Sequence, residues 1–289
     1  MDTFYLGIHR PNWLADSRVA EVPVFISRRT FLDSRTGAYR KTFPKAVGRY
    51  AVDSGGFTEL QKFGRWTITP VQYVAFLRRL WAETGPFDFA APMDWMVEPW
   101  VISGGWVDRQ YFAGTRLSVK WHQRQTVRNG KLLRQLAPEL PIKYALQGWT
   151  ETDYHRCVDM YESAGIDLAA ESVVLLGSMC RRQNTTEAVD IIDSLLDRGL
   201  RNLHGLGFKI EGLRKCWHML SFADSMSWSK DGRHGGPCQH SAEWRDPDYQ
   251  PQSEANCLPH ALAWRQRHIR RPARRYQHIR QLDLFGATA

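Results

Sequence analysis

Residues 142–177 read IKYALQGWTETDYHRCVDMYESAGIDLAAESVVLLG. Ile142–Gly148 is a short apolar run that meets a glycine, the pattern of a buried strand. Residues 151–164 carry a helical pattern stopped by Gly165, and Ser172–Gly177 is a second apolar run. Strand, helix and strand in one short stretch make a βαβ unit, and such units build parallel sheets.

The pattern repeats in both directions. Downstream, a helix over about 185–198 closes at Gly199. Leu203–Gly207 then reads as a strand, 210–219 as a helix and Ser221–Asp224 as a last short strand. Upstream, Phe87–Ala91 is a strand ending near Asp94, and roughly 113–137 reads as a helix. Thr69-Pro70 starts another helix, with Thr as cap and Pro in the first position. Val71, Val74, Leu77, Leu80 and Trp81 follow it at helical spacing. Tyr50–Val52 runs into the turn Asp53-Ser54-Gly55-Gly56-Phe57, and Phe4–Ile8 and Val22–Ile26 open the chain as strands. The expected fold is α/β, a (β/α)8 TIM-like barrel over residues 1–228, with a doubly wound open sheet as the alternative. After Trp228 the chain turns polar and then arginine-rich. Residues 229–289 are therefore expected to form a metal-binding segment and basic tail packed on the barrel.

The chain has 289 residues, 43% hydrophobic and 24% charged, which excludes disordered, collagenous and coiled-coil classes. Lys+Arg number 39 against 30 Asp+Glu, a net charge of +9 that favours a polyanionic partner. No uncharged apolar run is long enough to span a membrane, so no membrane association is expected. The first residues, Met1-Asp2-Thr3-Phe4-Tyr5, show no basic stretch leading into an apolar one, so no secretion signal is expected. Five cysteines, Cys157, Cys180, Cys216, Cys238 and Cys257, are an odd number. That argues for reduced thiols or a metal site in the cytoplasm over a disulfide framework.

In a parallel barrel the reactive groups lie at the carboxyl ends of the strands. The strand ends here carry Asp53, Asp94, Gln147, Gly177-Ser178, His204-Gly205 and Asp224. Each alone could be a turn or a cap. Three carboxylates and an amide converging on one rim make a chemical constellation.

The order Val52-Asp53-Ser54-Gly55-Gly56-Phe57, Asp94, Leu146-Gln147-Gly148, Leu176-Gly177-Ser178, Leu203-His204-Gly205-Leu206-Gly207, Phe222-Ala223-Asp224 resembles the tRNA-guanine transglycosylase superfamily. Gly177-Ser178-Met179-Cys180-Arg181-Arg182-Gln183 looks like its DpdA branch, which acts on DNA. The resemblance spans about residues 50–260, and DSGGF is its most specific motif. It implies a zinc-bearing barrel that exchanges guanine in DNA for a 7-deazaguanine. The partners implied are DNA and a free base such as 7-cyano-7-deazaguanine, with the substituent left open. Many superfamily members form homodimers, although no interface can be read from the chain.

The resemblance makes Asp224 the nucleophile at C1′ and Asp53 the general acid/base, the logic of a retaining glycosidase. Asp94 and Gln147 would read the guanine edge, and the Gly177 N–H would donate to O6. Phe57 and His204 would sandwich the base, with Ser178 and Gly205 beside it; the family commonly has Met at the position of His204. Departing from the superfamily's three-Cys, one-His zinc pattern, Cys238-x-His240 and Cys257-x-x-His260 offer two thiols and two imidazoles for a structural zinc. His234, Cys216 and His268 compete as ligands. Arg181, Arg182, Lys230, Arg233 and the arginine-rich tail are candidate phosphate contacts. A tRNA-specific transglycosylase, a non-catalytic nucleic-acid-binding barrel and a zinc hydrolase stand as alternatives.

Overall fold

A computed structural model describes residues 1–179, 186–235, 237–238, 240 and 252–270. Its strands are β1 (Thr3–Ile8), β2 (Val24–Ser27), β3 (Tyr50–Asp53), β4 (Gly105–Val107), β5 (Gln110–Phe112), β6 (Tyr144–Leu146), β7 (Val174–Leu176), β8 (Leu203–Gly205) and β9 (Phe222–Ser225). Its helices are α1 (Gly56–Phe63), α2 (Pro70–Thr84), α3 (Pro99–Ser103), α4 (Val119–Leu136), α5 (Glu151–Ser163), α6 (Thr186–Asp197), α7 (Ile210–Cys216), α8 (Ser227–His234) and α9 (Leu258–Arg265). The chain divides into two compact units, Met1–Asp224 and Ser225–Ala289.

Seven strands form one sheet in the order β3-β2-β1-β9-β8-β7-β6, with parallel pairing along it. The first strand of the chain thus pairs with the last. The two edge strands are linked by one segment. Ala90 makes parallel bridges to Val52 beside it on one side and Ile142 on the other. Ala91 N–H donates to Val52 O (2.8 Å) and Lys143 N–H donates to Ala90 O (3.0 Å). The sheet therefore curls round until its edges meet across residues 88–91. The expected strand Phe87–Ala91 is reduced to this bridge because Pro86 and Pro92 flank it, and proline has no N–H for a ladder.

Alternation along the strands builds the core. Tyr5, Phe25, Ala51, Phe89, Ala91, Ala145, Val173 and Leu175 form one buried cluster inside the curl, with Leu206 and Phe222 packed against it. Burial of a side chain such as Leu175 contributes about 1.5–3 kcal/mol. Helices α4 and α5 pack against β6. Thr69 caps α2 as expected, and Gln72 at the third helical position completes a capping box. The helix expected over 113–137 begins later, at Val119, where the Ser118 hydroxyl accepts from Trp121 N–H (3.2 Å). Before it stands an antiparallel hairpin, β4–β5, absent from the sequence reading.

Among the described residues no helix is long and apolar enough to cross a membrane. Cys157, Cys216, Cys238 and Cys257 are buried and form no disulfide, and Cys180 lies outside the described residues.

Candidate active site and metal cluster

Ala51, Ala145 and Phe222 belong to the interior cluster or pack on it. Side chains two residues apart on a strand point the same way. Asp53, Gln147 and Asp224 therefore point inward as well, one layer nearer the carboxyl ends of the strands.

Asp224 is buried. Its Oδ1 accepts from Gly207 N–H (3.1 Å) and lies 3.0 Å from His204 Nε2. A carboxylate can only accept, so Nε2 carries the proton. His204 is paired in register with Leu175 and Phe222, which places it inside the apolar core. Its fully buried ring packs on Phe89 (5.3 Å), Phe25 (5.7 Å) and Tyr5 (5.9 Å) and stacks on Phe222 (6.5 Å). The imidazole thus faces the core and the Asp224 carboxylate, and offers no open face for a base.

Asp53 ends β3, where Gly55 N–H donates to its Oδ2 (3.1 Å). It keeps partial contact with solvent but lies deep among protein atoms. Burial pushes its carboxyl up and the charge of Asp224 adds to the push, against hydrogen bonds from Ser27 and Gly55 and the charge of Arg28. Gly55 has φ +82°, and a Cβ there would lie 2.7 Å from Arg29 Cγ, so the turn requires glycine. The turn is braced from below. Arg28 Nε donates to Ser54 O (3.0 Å), and its guanidinium pairs with Glu59 (2.6 Å), both side chains fully buried. Burial alone would raise the Glu59 carboxyl; the Thr67 hydroxyl and N–H, Arg28 and Arg29 hold it low.

Asp94 lies just past the bridging segment and is buried. Burial first, then the charges of Asp53 and Glu98, push its carboxyl up to about 7, against the hydrogen bond from Gln147. Gln147 Nε2 donates to Asp94 Oδ2 (2.5 Å). At its other end Gln147 Oε1 lies 2.6 Å from Ser178 Oγ. That hydroxyl also accepts from Val97 N–H (2.9 Å) and lies 2.9 Å from Glu98 Oε2. Ser178 is held in the left-handed region at φ 57°, an unusual state for a residue with a Cβ. A buried chain thus runs Asp94–Gln147–Ser178–Glu98. Its last member, Glu98, was not singled out in the sequence. A carboxylate a turn beyond Asp94, before Pro99, was the signal available.

Gly177 has a different duty from the one expected. Its N–H donates to Leu146 O (3.0 Å) in the sheet and is not free for a base. A Cβ there would lie 2.1 Å from Gln147 Nε2, so the glycine makes room for the amide. At Gly205 a Cβ would meet the Phe208 ring at 2.5 Å, a packing requirement. Phe57 opens α1 half-buried, its ring edge-on to Phe112 at 5.9 Å.

Lys230 and Arg233 are exposed and one helical turn apart on α8. Arg181 and Arg182 lie outside the described residues, as do the tail arginines from Arg271 onward.

In the second unit, Cys238, His240, Glu254 and Cys257 bring one ligand atom each within 4.8 Å of one another and could hold a metal ion. His240 Nδ1 lies 3.4 Å from Cys257 Sγ and 3.1 Å from Glu254 Oε1. Glu254 stands where His260 was expected. His260 Nδ1 instead pairs with the other oxygen of Glu254 at 2.7 Å. The competitors His234, Cys216 and His268 are not in the group. Glu254-x-x-Cys257 was the signal the sequence offered for this ligand.

The fold and site define a parallel α/β protein with three electrostatically coupled carboxylates at the ends of its strands. The model of the DpdA family, DeoxyPurine in DNA protein A, matches residues 1–286. The chain belongs to the DpdA family, whose description points to deoxypurine modification in DNA. No curated protein matches the chain.

Proposed function

We propose that this protein is a DNA-guanine transglycosylase, a pentosyltransferase that exchanges guanine in DNA for a 7-deazaguanine base. We read the curled sheet and the 88–91 bridge together as a (β/α)8 barrel. The observation that carries the reading is Asp224, oriented by His204 and Gly207 at a strand end, with Asp53 close enough for its pKa to respond to the Asp224 charge.

The reaction needs a nucleophile and a proton carrier. An Asp224 oxygen attacks C1′ as the bond to guanine breaks, giving a glycosyl ester. The bonding pair leaves with guanine, which takes a proton from Asp53. The same Asp53 then removes the N9 proton of the incoming 7-deazaguanine. N9 attacks C1′, and Asp224 departs as a carboxylate. Two displacements retain the configuration at C1′. A raised Asp53 pKa suits a group that is protonated in one half-reaction and ionised in the other.

Base selection falls to Asp94 and Gln147. Ionised Asp94 would accept from N1–H and the exocyclic amine of guanine. Gln147 Nε2 would donate to O6, since the Gly177 N–H is engaged. Phe57 supplies a stacking face. The target base must leave the helix stack to reach these groups.

Two thiols, an imidazole and a carboxylate suit zinc, a borderline-soft ion taking sulfur, nitrogen and oxygen ligands. Cys238, His240, Glu254 and Cys257 would hold it, and its contribution is to fix the turn-rich second unit.

The test is exchange of labelled guanine in duplex DNA against unlabelled 7-cyano-7-deazaguanine, with denaturing gels to detect a protein–DNA adduct. Asp224→Asn is expected to abolish both release and adduct while preserving the fold. Full exchange by that variant would overturn the reading.

A further inference from the structure

The hairpin β4–β5 is inserted in the connection that leaves the strand-end side of the 88–91 segment. Its turn residues Asp108 and Arg109 have φ 48° and 62°, as a two-residue type I′ turn requires. Alternation splits its residues between two faces. Val107 and Phe112 face inward, onto the cluster of Leu60, Met96 and Val101. Phe112 there packs edge-on with Phe57, four residues after Asp53 in the DSGGF turn. Trp106 and Tyr111 face outward.

These two are paired in register across the hairpin, ring centroids 5.6 Å apart. Trp106 is 74% exposed and Tyr111 55%. The hairpin is already anchored through its other face, so folding does not explain two large aromatic rings in water. A stable soluble chain gains nothing from that exposure unless something covers it.

Charge indicates what covers it. Arg109 is exposed at the hairpin tip. The helix that follows, α4, carries Lys120, Arg124, Arg128, Lys131 and Arg134 in its 18 residues and no acid. Lys120, Arg124, Arg128 and Lys131 recur at spacings of four, four and three, so they share one face, and all four are exposed. Arg124, Arg128 and Lys131 also line a groove against α5 with Arg156. An exposed pair of rings, a cation at the hairpin tip and a row of cations on the helix that follows in the chain match a single-stranded or locally opened nucleic acid, which offers base faces and phosphates together. A second copy of this chain, also at +9, offers no such complement.

We propose that the outer face of the β4–β5 hairpin is a base-stacking platform for the DNA strand, with Trp106 and Tyr111 receiving an unstacked base and α4 tracking the phosphates. The proposal rests on DNA being the substrate and adds a surface that the exchange chemistry does not require.

The experiment compares wild type, Trp106→Ala/Tyr111→Ala, Trp106→Phe/Tyr111→Phe and Lys120→Glu/Arg124→Glu/Arg128→Glu. Binding of a fluorescent single-stranded DNA oligonucleotide is measured over a range of salt, alongside base exchange and sedimentation. The double alanine variant is expected to lose about tenfold or more in affinity with an unchanged salt slope. The phenylalanine pair is expected to restore most of it. The triple charge variant is expected to flatten the salt slope by about two to three ions. Unchanged oligonucleotide affinity in the alanine variant would overturn the platform. So would a wild-type oligomer that dissociates in that variant, since the face would then belong to a second copy. Wild type that binds through the hairpin yet exchanges no base would overturn the proposed reaction and leave the platform standing.

Discussion

His204 Nε2 lies 3.0 Å from Asp224 Oδ1, with the imidazole fully buried in a cage of four aromatic rings. The core holds the ring, and the ring holds the carboxylate. His204→Phe keeps the aromatic packing and removes the N–H donor. It is expected to slow adduct formation about 10- to 100-fold, the loss of one buried hydrogen bond, with KM for the free base unchanged. His204→Gln, which can still donate, is expected to recover part of the rate. Single-turnover measurement of the adduct checks both. A parallel fall in thermal stability without a rate effect would reduce His204 to a core residue.

Asp94 carries the clearest pH dependence. Its carboxyl is raised to about 7 in the folded protein, from an ordinary value near 3.8. The folded state then binds the proton more tightly than the unfolded chain. The stability tied to that proton is present below about pH 4 and is lost as pH rises through about 7. Asp94→Asn keeps an acceptor for Gln147 and carries no charge. It is expected to be more stable than wild type at pH 8, with the gap closing as pH falls toward 4. Thermal melts across that range read the effect. A pH-independent difference would refute the assignment. For the same reason, guanine binding by wild type is expected to strengthen as pH rises through 7.

Much of this arrangement was legible in the chain because period-two alternation is simple. Ala51 and Asp53, Ala145 and Gln147, Phe222 and Asp224 are inward pairs, one apolar and one polar, and the polar member marks the strand end. His204 was legible as a strand residue but not as a core one. Its partner layer, Leu175 and Phe222, comes from neighbouring strands and has no local signature. The hairpin was hidden because Asp108-Arg109 fills a turn that usually declares itself with glycine. Glu98, Glu254 and the Arg28–Glu59 pair were hidden for a third reason. A buried charge reads as a surface charge until its partner, often tens of residues away, is placed beside it.

The Arg28–Glu59 pair makes a stability prediction. Both side chains are fully buried at 2.6 Å, and Glu59 also receives Arg29 and Thr67. Removing one partner leaves an uncompensated buried charge. Arg28→Ala is expected to cost about 3–5 kcal/mol by urea denaturation. Arg28 also holds Ser54 O, so the surviving folded protein is expected to exchange bases poorly through a displaced Asp53. A loss under about 1 kcal/mol would show the pair to be dispensable.

Gly177→Ala tests whether Gln147 selects the base. The new Cβ would lie 2.1 Å from Gln147 Nε2, so the amide must leave Asp94. KM for the free base is expected to rise about tenfold or more. The Asp224 adduct is expected to form still from a DNA substrate held by its phosphates, at a reduced rate. An unchanged KM would remove Gln147 from recognition.

The metal cluster makes a prediction in which two neighbouring residues part company. Glu254 belongs to the group of four donors, whereas His260 lies outside that group and its Nδ1 pairs with the far oxygen of Glu254. Glu254→Ala and Cys257→Ser are expected to lower bound zinc well below one per chain, read by elemental analysis of the purified protein. His260→Ala is expected to retain the ion and weaken it about 10- to 100-fold, the usual effect of removing a group that orients a ligand. A chelator is expected to bring wild type to the thermal stability of Cys257→Ser, because ion binding and folding of this segment are one equilibrium. If His260→Ala instead empties the site and Glu254→Ala leaves it full, the two residues exchange roles and the ligand set becomes two thiols and two imidazoles.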